Sequence, residues 1–259
     1  MSLIHDLGQL IPQLKLRNEA LFYFGIFNFA LAFGLLILSF FINIQYLGTH
    51  ALYKPIKFGL SIGIYSWTMS WFCFYLGSNF SLKFFNFSII SLLGFEIVYI
   101  AIQALRGQGS HYNLTNSFYG FLYVLMALAA TLVTLWTFYI GILFCTQKFQ
   151  NISEPYLWGI RLGIFIFVIF SFQGFIMGSR LSHTVGGPDT SEGYLFLNWS
   201  KKFGDLRISH FLGMHALQIL PFLAHYVFKS NIGVITFSFC YFLITSFVLY
   251  VTMLGKALL

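Results

Sequence analysis

Seven apolar runs dominate the chain, at residues 21–46, 56–77, 86–106, 117–145, 156–178, 207–228 and 232–255. Each is long enough for a helix of roughly 20 residues, the length that crosses a hydrocarbon layer. The runs are continuously apolar and do not alternate, which excludes the strands of a membrane barrel. The pattern therefore predicts an all-α fold, a polytopic transmembrane bundle of seven helices forming one domain over residues 1–259, with a long polar loop between helices five and six. Ahead of the first run stand Asp6, Lys15, Arg17 and Glu19, with no long apolar stretch and no small-residue cleavage site. That segment reads as an interfacial lead-in, not a cleaved signal peptide.

Composition narrows the class further. Hydrophobic residues make up 58% of the 259 and charged residues only 8%. An ordinary soluble domain carries roughly 25% charged residues, so this chain could not cover a water-facing surface. Its 34 Phe read as lipid-facing side chains. The net charge of +7 is spread over loops without a long basic run. That argues against nucleic acid as a partner and for contact with the anionic headgroups of a bilayer. Cys73, Cys145 and Cys240 all fall in apolar runs without CxxC spacing, and read as small apolar side chains.

Threading the runs back and forth puts loops 78–85, 146–155 and 229–231 on the side of the N-terminus. Loops 47–55, 107–116 and 179–206 fall on the far side, with the C-terminus. His50, His111, His183 and His210 map to that far side and His215 lies deeper, while His5 and His225 map to the N-terminal side. Six Lys and Arg lie on the N-terminal side and eight on the far side, so the positive-inside rule gives only a slight lean to a cytoplasmic N-terminus. Sequons at Asn79 and Asn151 on one side, and at Asn113 and Asn198 on the other, leave the orientation open.

Charge in hydrocarbon is costly, so polar groups at depth point to function. In the third run Glu96, Tyr99, Gln103 and Arg106 fall within an arc of about 80° at helical spacing. In the sixth, Arg207, His210, His215 and Gln218 span about 140°. Those two histidines are five apart, so the HxxxH chelate is missing and a metal there needs partners from other helices. Pro221 predicts a kink just below them. Lys57, Ser61 and Thr68 share a face about 40° wide, beside Lys54. The fifth run ends at Gln173 and Arg180 and leads into Ser182-His183-Thr-Val-Gly186-Gly187-Pro188-Asp189, a tight polar turn. The loop continues through Glu192, Asn198, Trp199, Lys201, Lys202 and Asp205, long enough for a lid or a re-entrant segment.

The motifs KPIKF, RGQGSHYN, SHTVGGPD and NWSKKFGDLRISHFLGMHALQILP resemble those of a group of bacterial seven-span integral membrane proteins. The resemblance runs from the second span to the sixth. It implies a bacterial inner-membrane protein and carries no activity with it.

Three functions fit the far-side polar groups. The first is a metal-dependent membrane enzyme, with His111, His183, His210 and His215 as ligands to zinc, iron or copper. Glu96 or Asp189 then serves as carboxylate ligand or general base. Lys54, Lys57, Arg106, Arg180 and Arg207, with Gln103, Gln218 and Asn113, would hold an anionic small molecule or a lipid headgroup. A second is a haem b protein in membrane electron transfer, with His210 and His215 as ligands and Arg207 beside a propionate. A third is a transporter, channel or receptor whose funnel binds an anion or relays protons.

Overall fold

Continuous apolar sequence leaves the backbone only one way to satisfy its polar groups in lipid, the helix, and the chain takes it. The computed structural model describes residues 3–190, 193–194 and 196–258, the side chains of residues 3–7, 78 and 79 excepted. Glu192 and the side chains of His5, Asp6 and Asn79 thus lie outside the described residues. The helices are α1 (Leu3–Arg17), α2 (Glu19–Ser39), α3 (Tyr53–Cys73), α4 (Leu82–Leu105), α5 (Ser117–Thr146), α6 (Glu154–Phe172), α7 (Gly174–Arg180), α8 (Leu206–Tyr226) and α9 (Asn231–Met253). The described residues also form a 3-10 helix at Phe74–Asn79 and two antiparallel pairs of two-residue strands: β1 (Gln45–Tyr46) with β2 (Thr49–His50), and β3 (Thr184–Val185) with β4 (Gly204–Asp205).

Among the described residues, five helical segments are long and apolar enough to cross a membrane: Glu19–Ser39, Leu82–Leu105, Ser117–Thr146, Glu154–Arg180 and Asn231–Met253. Phe33, Phe84, Phe87, Phe121, Phe239 and Phe247 are exposed on them, and such a surface belongs in hydrocarbon. The chain is a helical integral membrane protein. Helices α3 and α8 have 21 residues each but carry the lysines, serines and histidines that lower their hydropathy.

The chain divides into two compact units, Met1–Val133 and Thr134–Leu259. In the first, α2 and α3 pack through small residues. A Cβ on Gly59 would lie 3.0 Å from the Asn28 carbonyl and 3.1 Å from the Ala32 Cβ. Asn18 caps α2 by accepting from Leu21 N, and its amide pairs with Asn86 of α4 at 2.9 Å. Arg17, closing α1, lies 3.6 Å above the Trp71 ring and near Phe74 and Tyr75. Such cation–π contacts contribute about 0.5–2 kcal/mol and hold the lead-in helix to the end of α3.

In the second unit the axis of packing is α6 against α8, again over glycines. Gly159 and Gly163 of α6 face Ala216, Leu217, Leu220, Pro221 and Ala224 of α8. Pro221 lies within the continuous helix Leu206–Tyr226, and its ring packs beside Gly163. Ile166 and Phe170 pack with Ala216 and Leu220 in the core. Asp205 caps α8 by accepting from Arg207 N, and Ser230 caps α9 by accepting from Gly233 N.

Candidate functional site

Each unit gathers one cluster of chemistry-bearing residues. In the first unit the stripe on α4 turns inward: Glu96 is 7% exposed, Tyr99 8% and Gln103 1%, while Arg106 at the helix end is exposed. Gln103 donates to Tyr99 Oη at 3.3 Å and to the Gly109 carbonyl at 3.2 Å, and Asn113 donates to the same carbonyl at 3.1 Å. Those bonds fold the 106–113 loop over the end of α4. Tyr112 takes φ 59 there, a left-handed conformation uncommon for a non-glycine residue and characteristic of strained functional loops.

The fold of that loop delivers His111 to an aromatic surround. Its ring lies 5.8 Å from Phe58, 6.2 Å from Tyr112 and 6.5 Å from Tyr123, and its Nδ1 is 3.2 Å from Ser110 Oγ. Lys54, in the first turn of α3, places its ammonium 5.9 Å over the Phe58 ring. Lys57 is half-buried on the same helix, and Thr68 bonds to its own helix at Ile64 O.

The second unit builds its cluster from the loop that the sequence marked as long. Asp189 accepts from Ser182 Oγ at 2.7 Å and from Thr184 N at 3.0 Å, which closes the turn after α7. Asp205, fully buried, accepts from Ser200 N at 2.9 Å, from Arg207 Nε at 2.9 Å and from Arg207 Nη2 at 2.6 Å. Arg207 also donates to the Asn198 carbonyl. Between the two carboxylates sits His183. Its Nδ1 is 3.4 Å from Asp189 Oδ1 and 4.0 Å from Asp205 Oδ1, and Thr184 Oγ1 is 3.1 Å away. Arg207 is thus engaged by a protein carboxylate. Arg180, expected beside it as a substrate group, is exposed at the end of α7.

Two further histidines of the unit each use Nδ1 on a backbone carbonyl. His210 Nδ1–H donates to Phe170 O at 2.6 Å and His215 Nδ1–H to Phe211 O at 2.8 Å. His215 also lies on the Phe211 ring, with centroids 4.1 Å apart. Gln218, one turn beyond, is half-buried. Gln173, which was expected to end the fifth run, spends its amide on the Leu206 carbonyl at 3.1 Å. His50 is fully engaged, donating from Nε2 to Ile42 O and accepting at Nδ1 from Leu52 N.

Among the described residues, no three His, Cys, Asp or Glu side chains are grouped as a metal ion requires. The residue that sequence reasoning passed over is Asp205, treated only as part of a loop. Its signal was present: an Asp directly before a helical run is the N-cap pattern. A cap whose carboxylate also takes an arginine and faces an imidazole needs the fold to reveal it.

Electrostatics follow from these contacts. Burial pushes the Asp205 carboxyl up, but Arg207, with help from His183 and Ser200, outweighs it and holds the group below the usual range. Burial likewise raises Asp189, and His183, Ser182 and Thr184 bring it below its ordinary value. Both add stability at neutral pH that is lost as pH falls through their lowered values, below about pH 4. His111 runs from the other side. Burial first, then the Lys54 charge, push its imidazole well below the ordinary range. The folded state keeps it neutral, so stability declines as pH falls through about 6.5, where the unfolded imidazole takes up its proton. The thermal midpoint of the full chain in detergent is therefore expected to start falling below about pH 6.5 and to fall again below about pH 4. His111→Asn makes the upper stage shallower. A wild-type midpoint that stays flat over the whole range contradicts the assignment.

Compared with protein-family models, with curated proteins and with solved structures, the chain has no match, so the two clusters have to be read from their own chemistry.

Proposed function

We propose that the chain is a seven-span enzyme of the bacterial inner membrane, with α3 and α8 crossing alongside the five more apolar segments. Seven crossings put the 181–205 loop on the side opposite the N-terminus, and the N-terminus is cytoplasmic. The site is the His183 cluster on that loop, and the chemistry is acid–base catalysis on an anionic small molecule or lipid headgroup.

One observation carries this reading: His183 Nδ1 lies 3.1 Å from Thr184 Oγ1 and 3.4 Å from Asp189 Oδ1, with Asp205 Oδ1 4.0 Å away. A carboxylate beside one ring nitrogen favours the tautomer with the proton on that nitrogen, which makes Nε2 the basic nitrogen of the ring. Positioned proton transfer of this kind contributes roughly 10²–10⁴-fold to rate. Exposed Arg180, Lys201 and Lys202 belong to the same stretch of chain and supply the attraction for an anionic group. Asp189 acts here as the orienting carboxylate, which is a narrower role than general base.

The test is consumption. Purified chain in nanodiscs is incubated with bacterial lipid extract and with soluble metabolite extract, and both are followed by untargeted mass spectrometry. Wild-type protein is expected to deplete at least one anionic species that His183→Ala spares, with a difference of about 100-fold in rate. Identical profiles for the two proteins would sink the reading.

A second reading rests on a different residue. His210 donates Nδ1–H to the Phe170 carbonyl, the arrangement that commonly backs a histidine ligating metal through Nε2. That favours a haem b or a transition-metal ion at His210. A Soret band, or close to one metal atom per chain lost in His210→Ala, supports it. An absorption spectrum and metal analysis that are both blank remove it.

A further inference from the structure

We infer that Arg17, at the corner between α1 and α2, binds a phosphate oxyanion, the headgroup of a phospholipid in the leaflet where α2 begins. This inference is independent of the chemistry at His183, which belongs to the other unit.

The fold fixes that corner. Asn18, 4% exposed, exchanges paired amide bonds with Asn86 of α4, both at 2.9 Å. Ser70 of α3, fully buried, donates to the Leu14 carbonyl at 3.2 Å. Arg17 is held between these anchors, its guanidinium 3.6 Å from the Trp71 ring, with Phe74 at 4.6 Å and Tyr75 at 5.1 Å. A guanidinium laid on a ring keeps its N–H donors in its own plane, directed past the ring instead of into it.

What the chain does not give this cation is an acceptor. Nε and Nη1 are buried, and among the described residues neither has a hydrogen-bond partner. Burying charge is costly unless it is paired and hydrogen-bonded, and aromatic faces attract a cation without offering it an oxygen. The side chain keeps part of its surface open, and its charge is delocalised over the whole guanidinium. An oxyanion at the open part therefore compensates the buried part as well. Phosphate, with several oxygens to meet a fork of N–H groups, suits that geometry.

Position selects a lipid as the source. The membrane span Glu19–Ser39 starts two residues after Arg17, which puts the guanidinium at headgroup depth, where tryptophan and tyrosine rings also gather. Leu16 is 77% exposed, Phe74 52% and Ile11 46%, apolar surface that acyl chains cover. Lys15 is exposed beside Arg17, and Lys83 is exposed one turn before Asn86. They outweigh the exposed Glu19 and favour an anionic headgroup over a zwitterionic one.

The experiment is native mass spectrometry of the full chain released from detergent and titrated with dioleoylphosphatidylglycerol. Wild-type protein is expected to bind it at least about ten-fold more tightly than dioleoylglycerol, which has the same chains and no phosphate. Arg17→Gln is expected to weaken phosphatidylglycerol binding about ten-fold, a loss of about 1.4 kcal/mol. Lys148→Gln, which removes an exposed cation from another loop, is expected to leave it unchanged. The headgroup comparison needs no variant, so it stands if Arg17→Gln fails to fold. Inorganic phosphate is expected not to displace the lipid. Equal affinity for the two lipids overturns the proposal. So does displacement by inorganic phosphate, wild-type affinity in folded Arg17→Gln, or an equal loss in Lys148→Gln.

Discussion

Asp205→Ala is expected to lower the thermal midpoint of the purified chain by on the order of 10 °C. The buried carboxylate accepts from Ser200 N, from Arg207 N and from two nitrogens of the Arg207 guanidinium. Removing it uncaps α8, releases the 200–205 turn and leaves Arg207 without its counter-charge. Breaking one side of a buried pair costs about 3–5 kcal/mol. The Arg207 side chain is 25% exposed, so water recovers part of that and the lower end applies. For a chain of this size about 3 kcal/mol shifts a midpoint by roughly 6–12 °C. Arg207→Met placed in the Asp205→Ala background should recover some of the loss, because the unpaired charge goes with it. A midpoint for Asp205→Ala within about 2 °C of wild type is incompatible with the pairing described.

Gly163→Leu is expected to split the α6–α8 contact. A Cβ at that position already falls 2.8 Å from the Ala216 carbonyl and 3.4 Å from the Leu217 Cα. Both neighbours are backbone and cannot rotate away. Four residues earlier, Gly159 meets Ala224 Cβ at 2.7 Å and Leu220 O at 3.0 Å, so the whole seam is set by small residues. In lipid there is little hydrophobic drive between helices, and close backbone approach supplies the attraction. Overpacking a tight contact costs about 1–3 kcal/mol or more, and here the added side chain forces the helices apart. Loss of a monodisperse peak in fluorescence-detected size exclusion is the expected result. Gly34→Leu is the control, because nothing lies within 4 Å of a Cβ there. Equal behaviour of the two variants would show that the seam is not tight.

Much of the helical framework was legible from apolar length alone. Each of the seven runs coincides with helix, and α5 at Ser117–Thr146 falls within one residue of the predicted 117–145. Boundaries shifted where local chemistry overrode hydropathy. The first run was drawn to 46, yet α2 stops at Ser39, and Gln45–Tyr46 pairs back on Thr49–His50 through Leu47 and Gly48, both at positive φ. That two-residue turn suits the twist of a hairpin, and residues 40–46 fall outside the helix. Likewise α3 begins at Tyr53, which brings Lys54 and Pro55 into its first turn and points Lys54 at Phe58. The fifth run is interrupted between Phe172 and Gly174, where Gln173 turns its amide to the start of α8.

The site was half legible. Sequence picked out Glu96, Gln103, His111, His183 and Asp189 because polar residues beside apolar runs are conspicuous. Its metal-enzyme reading gave His111, His183, His210 and His215 one shared job as ligands. The fold gives each a different partner: aromatic rings for His111, carboxylates for His183, and backbone carbonyls for His210 and His215. Which way an imidazole points depends on neighbours brought up from elsewhere in the chain, and periodicity carries no trace of that.

By itself, then, the sequence determined that this is a helical membrane protein, where its helices run, and which residues are too polar to be there without a reason. It could do so because hydrocarbon imposes one rule on every backbone group, and twenty or so consecutive residues suffice to obey it. Only the tertiary structure decided that Asp205, 22 residues after His183 in the sequence, comes within 4.0 Å of it, and that His111 lies 5.8 Å from the Phe58 ring. Such pairings come from the closing of a loop and from the depth to which glycine seams let helices approach. Those are interactions between distant segments, and no local pattern encodes them.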